Sequence, residues 1–166
     1  MGRDGIEQWL WALDAAFEGE RGHSLIANLA SLKDEDWLWL PEGGGRSIFD
    51  IVGHVGESKY VYNNWAFGDA SMRWDRPGTV PTADPEAPRE ATRDWLREGQ
   101  RQFRESIAGL ADDGELLVQR RANWGQDCET RWLINTMVQH DVYHAGEINH
   151  IRALRQGNDR WPWDLG

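Results

Sequence analysis

The stretch QHDVYHAGEINHIRALRQG, residues 139–157, gathers His140, His144 and His150 in a chain with five histidines. On a helix, His140 and His144 differ by about 40° around the axis and about 6 Å along it. Two imidazoles so placed can share one ion, at a ring-nitrogen distance of about 2.0–2.1 Å for zinc. Glu147 falls about 20° from His140, on the same face, as a further ligand, a partner that orients a ligand, or a proton acceptor. His150 lies about 240° round from His144 and faces elsewhere. A histidine pair at this spacing also describes two unrelated surface rings, so a third ligand decides the matter.

Two familiar completions fail on the residues. His150 would give the three-histidine spacing of metzincin proteases, but Asp141 stands where their glutamate base belongs and Glu147 where their glycine turn belongs. Glu147 and His150 form one E-x-x-H, and the second copy that a di-iron bundle needs does not occur. Tyr143 and Asp141 are poorly aimed for the 140/144 face. His23, between Gly22 and Ser24, is expected to have no role. His54 lies in IFDIVGHVGE on a face shared with Ile51 and Val61. It reads either as a hydrogen-bonded core histidine or as the third ligand opposite the 140/144 pair.

Four helices must carry these residues. The first is predicted from about Gly5 to Ser31, with Ile6, Leu10, Leu13, Phe17, Leu25 and Leu29 forming one apolar stripe. Gly19 and Gly22 are placed to kink or divide it. The link DEDWLWLPEGGGR, with Pro41 and three glycines, stops any helix. The second helix opens at Ser47, with Asp50 completing a capping box, and runs to Gly68. Residues 68–88 hold Pro77, Pro81, Pro85 and Pro88 and read as a long irregular connection. Such a segment is functional or a crossover that lets the third helix run parallel to the second. The third helix covers about Arg89 to Leu110. A link with one short extended piece leads to the fourth, from near Thr130 to Gln156, with Gly157 as its C′ residue. The expected fold is all-α, a four-helix bundle in a single domain over 1–166 with a long crossover between helices 2 and 3.

Composition narrows the partners. Eighteen basic against 28 acidic residues leave a net charge of −10, which argues against a nucleic-acid partner. No apolar run is long enough to span a membrane. The opening MGRDGIEQWLWALDAAFEGE lacks the pattern of a secretory signal, so a cytoplasmic protein is expected. Cys128 is the one cysteine and reads as a small apolar filler rather than a nucleophile. Eleven tryptophans include the pairs Trp9/Trp11, Trp37/Trp39 and Trp161/Trp163. Members of a W-x-W pair diverge by about 200° on a helix, so one leaves the core, as packing at helix ends or as a wall for a ligand or a subunit.

RSIFDIVGHVGES around His54 and RWLINTMVQHDVYHAGEINHIRALRQG around His140 and His144 resemble the DinB-like superfamily of metal-dependent proteins. That family places one histidine early in its second helix and an H-x-x-x-H on its last, commonly followed by a G-[QE]-I step and an LR-x-x-G ending. Gly146, Glu147, Ile148, Leu154, Arg155 and Gly157 fall in step. The resemblance implies an up-down-down-up bundle with His54, His140 and His144 as metal ligands. Three neutral imidazoles leave a coordination position open, the catalytic arrangement, at which a water or thiol is activated near neutral pH.

Characterised relatives include enzymes that use a low-molecular-weight thiol. The leading expectation is therefore a thiol S-transferase acting on a small electrophilic molecule. Hydrolysis of a small substrate and a non-catalytic metal- or ligand-binding bundle are the alternatives. Glu147 and Glu57, one turn past His54, are the candidate proton-handling groups, and a solvated helix charge is the plain alternative for each. The donor set suits zinc first and nickel next. Surplus tryptophan and the family's habit suggest a homodimer.

Overall fold

The computed structural model describes residues 2–20, 22–30 and 32–161. Among them are six helices and a two-stranded antiparallel sheet. The helices are α1 (Asp4–Glu18), α2 (Leu25–Leu29), α3 (Asp34–Trp37), α4 (Ile48–Phe67), α5 (Arg89–Ala108) and α6 (Thr130–Gln156). A 3-10 turn (Asp113–Leu117) and the hairpin β1 (Gln119–Arg121) and β2 (Asp127–Glu129) fill the link before α6. The fold is mostly helical, and no helix among the described residues is long and apolar enough to cross a membrane.

The first helix is shorter than its apolar stripe predicts. It ends at Glu18, because the chain turns at Gly19 so tightly that a Cβ there would collide with the Ala15 carbonyl. Leu25 and Leu29 continue the stripe from the separate helix α2; the expected end at Ser31 lies outside the described residues. The link after it is not free of helix either, since Asp34–Trp37 forms the single turn α3, with Asp36 accepting from the Lys33 amide. The extended piece expected before α6 is the hairpin, in which Arg120 faces Cys128.

The remaining boundaries follow local chemistry. Ser47 caps α4: its Oγ accepts from the Asp50 amide, and Asp50 Oδ2 accepts from the Ser47 amide at 2.7 Å. Gly157 closes α6 in the left-handed conformation at φ 76°. Trp9 packs against the core while Trp11 is 66% exposed, the divergence expected of that pair. Trp37 and Trp39 both reach the core instead, because they straddle the end of α3. Trp163 lies outside the described residues.

Pairs across the long helices show how they run. Gly56 lies under Trp95, so closely that a Cβ would strike the indole; Tyr60 lies on Gly99, and Phe67 meets Phe103. Numbers on α4 and α5 therefore rise together. Between α1 and α5 they oppose, with Glu18 on Arg97 and Asp14 on Arg104. Two apolar clusters make the core: one around Phe17, Val55, Leu96 and Ala145, the other around Leu13, Phe103, Ile134 and Met137.

Between those clusters lies a buried ionic layer. Lys59 and Asp141 are both 0% exposed, and the ammonium touches both carboxylate oxygens at 2.8 Å. Gln100 Oε1 accepts from Lys59 Nζ at 2.8 Å, and the Phe17 ring lies 4.9 Å from that nitrogen. All four long helices thus meet at one ammonium group. Burial holds Lys59 below an ordinary lysine and Asp141 above an ordinary aspartate, while their mutual attraction opposes both shifts.

Candidate metal centre

The ionic layer lies directly beside the histidines, since Asp141 follows His140 on α6 and Lys59 follows His54 on α4 by five residues. At that level His54 crosses from α4 to meet the α6 pair. His54 Nε2 and His140 Nε2 are 3.0 Å apart. The ring centroids of His140 and His144 are 4.4 Å apart, and those of His54 and His144 are 5.1 Å apart. One nitrogen from each of the three rings lies within 4.8 Å of the other two.

The donor set fits a divalent ion. Nitrogens bound at about 2.1 Å sit about 3.0–3.4 Å from one another, depending on whether the geometry is octahedral or tetrahedral. The 3.0 Å pair already has that spacing. Two of the rings, His140 and His54, are also pushed toward the neutral form that binds metal. Burial, then the neighbouring His144 and His54, push His140 down to about 3. His54 is lowered by burial first, then by His144 and Arg46, against the pull of Glu147.

Glu147 bridges His144 and Arg46. His144 Nδ1 donates to Glu147 Oε2 at 2.8 Å, and Arg46 donates to Glu147 Oε1 at 2.8 Å. With Nδ1 so engaged, the Nε2 of His144 is the nitrogen left for the centre. His140 lacks such a partner: its buried Nδ1 has none among the described residues.

The family model of the DinB superfamily matches residues 16–148, a span that contains all three rings and Glu147. The chain belongs to the DinB superfamily. No curated protein matches it.

In this DinB-superfamily chain the other sequence candidates separate cleanly. Glu57 is half-buried and has no hydrogen bond or ion pair among the described residues; burial raises its pKa. His150 and His23 are exposed and stand outside the histidine cluster. Asp141 points into the core, and Tyr143 is 68% exposed with its ring 5.0 Å from that of His144. Cys128 sits in β2 with its thiol pushed up by burial, the opposite of what a nucleophile needs.

Lys59, Gln100 and Arg46 are the residues that sequence reasoning missed. A signal for two of them exists. Lys59 interrupts the stripe Ile48, Val52, Val55, Tyr62, and Gln100 interrupts Leu96, Phe103, Ile107. A polar residue at a core position of a helix has a buried partner elsewhere. Arg46 carries no comparable signal, because it precedes the helix and its partner is 101 residues away.

Proposed function

We propose that this DinB-superfamily protein is a metal-dependent enzyme that joins a low-molecular-weight thiol to a small electrophilic molecule. His54, His140 and His144 are its metal ligands, with zinc as the ion and nickel next. The convergence of three imidazoles from two helices, with one nitrogen of each within 4.8 Å of the others, carries the reading. The resemblance to thiol-using relatives supports the reaction class. The pairings across α1, α4, α5 and α6 support an up-down-down-up four-helix topology. Exposed Trp132, Val142 and Tyr143 on α6 support a homodimer.

A divalent ion in this donor set supplies Lewis acidity, which lowers the pKa of the thiol that it holds. The chain's own groups do the rest. Arg46 and Glu147 hold His144 in one orientation. Glu57 is the carboxylate that stays free to accept a proton, or a donor group, from what enters beside His54. In the transfer, a carbon–sulfur bond forms at the electrophile, the thiol proton goes to Glu57, and any leaving group departs with its bonding pair.

Elemental analysis of the purified protein tests the site. About one transition ion per chain is expected, and none in His54→Ala, His140→Ala or His144→Ala. An intact chain without a transition ion overturns the metal centre. Metal-loaded protein is then offered a panel of small thiols and electrophiles, with conjugates read by mass spectrometry. Failure of every pair overturns the transferase assignment and leaves the metal site standing.

A further inference from the structure

Phe49 and Asp50, Gly53 and His54, and Glu57 occupy successive turns along one face of α4. Gly53 sits mid-ladder, and its identity has no packing reason. A Cβ built there meets no atom within 4 Å, whereas one at Gly56 would strike Trp95. Its backbone is helical and its φ is not positive, so alanine would serve the helix better. What the absent side chain leaves is room. A recess of about 310 Å³ opens beside His54, walled on the far side by Trp74 and Ala83 of the 68–88 connection.

That wall is held in place. The Trp65 indole N–H donates to the Met72 carbonyl at 2.7 Å, and the Met72 amide donates to Asn64 Oδ1 at 2.9 Å. The Thr79 hydroxyl bonds both backbone groups of Arg73. Trp74 is therefore positioned although it is 47% exposed.

We propose that this recess binds the electrophilic reactant, and that the reactant is a small flat molecule with an N–H or O–H group and no negative charge. Its assignment to a reactant rests on the metal-site reading above; the ligand class rests on the recess alone. Phe49 and Trp74 offer rings to a flat body. Glu57 needs a donor, since a half-buried carboxylate without a partner is costly. Asp50 already accepts from Ser47. The lining holds two carboxylates and no lysine or arginine, so the protein's own groups repel an anion. Chelated protein reads that repulsion apart from the charge of an ion at His54.

Three probes of one shape test this: phenylacetamide, its methyl ester counterpart without a donor, and phenylacetate. Binding is measured by ligand-observed NMR titration on the protein as isolated and again after chelation. In chelated protein the amide should bind about tenfold tighter than the carboxylate and about threefold tighter than the ester. Gly53→Leu should weaken the amide about tenfold in both preparations without lowering Tm. If leucine does lower Tm, Gly53→Ala gives the same comparison with a smaller loss. Glu57→Gln should bring the carboxylate level with the amide. Wild-type affinity in the folded Gly53 variants, or phenylacetate binding as tightly as the amide, overturns the proposal. A protein that binds the amide but holds no metal overturns the metal reading alone, and one that holds metal but ignores all three probes overturns this one alone.

Discussion

His140 is the most perturbed of the three rings, and its perturbation has a measurable consequence. Folded, its pKa is pushed down to about 3; unfolded, it returns to the ordinary value of 6.5. Between those values the unfolded chain binds the extra proton, so acid favours unfolding. The contribution is whole above about 6.5 and is lost as the pH falls toward 3, with a slope of at most about 1.4 kcal/mol per pH unit for one proton. Thermal unfolding of metal-free protein should therefore show Tm falling between pH 6.5 and 5, before most carboxylates titrate. His140→Asn should flatten that slope. An unchanged slope in the variant would mean that the ring is not held neutral by its surroundings. The sequence showed that His140 and His144 share a face, because helical period alone places them. It left Glu147 with several roles, because the choice depends on Arg46, which arrives from a loop rather than from the helix.

The elements are held in register by a layer that is costly in isolation. Lys59 on α4, Asp141 on α6 and Gln100 on α5 separate the two apolar clusters, so no helix can slide without unpairing a buried charge. Buried pairs of this kind seldom add stability over apolar packing, whereas stranding one member is expensive. Lys59→Met alone or Asp141→Leu alone should destabilise by about 3–5 kcal/mol in denaturant unfolding. The triple variant Lys59→Met/Gln100→Leu/Asp141→Leu, which strands nothing, should return to within about 1 kcal/mol of wild type or exceed it. Additive losses across the three substitutions would contradict this account. The same layer marks where the sequence was legible. Stripes, the Ser47 cap and the Gly157 stop are local signals, and the structure repeats them. The break after Glu18 follows from a collision with Ala15 that only the folded turn reveals. The amides of Gly5 and Ile6 are capped by Asp113, more than a hundred residues on, and no local pattern announces such a partner. Partners of buried charges share this non-local character. The sequence shows that Lys59 breaks an apolar stripe, but not that Asp141 answers it.

At the scale of the whole molecule, the question is whether the ion belongs to the fold or to the chemistry. The two apolar clusters and the ionic layer are complete without it, and His54 lies on the exposed side of α4. A metal joining His54 to α6 therefore adds one link between helices already packed at Ile48, Val55, Ala145 and Ile148. Binding stabilises by mass action whatever its purpose, by about 2.7 kcal/mol when the free ion stands at a hundred times its Kd. For a chain of this length that amounts to a rise in Tm of about 5–10 °C. Calorimetry should show metal-free wild type melting cooperatively, the loaded protein melting higher by that amount, and His54→Ala melting close to the metal-free wild type with or without added metal. A site required for folding gives a different pattern, in which chelation abolishes the cooperative transition and His54→Ala is unfolded at room temperature. The first pattern is expected because His54 lies on the exposed side of α4 and lines the Trp74 recess. An ion held there would close no gap in the core packing and would stay accessible to an exchangeable partner.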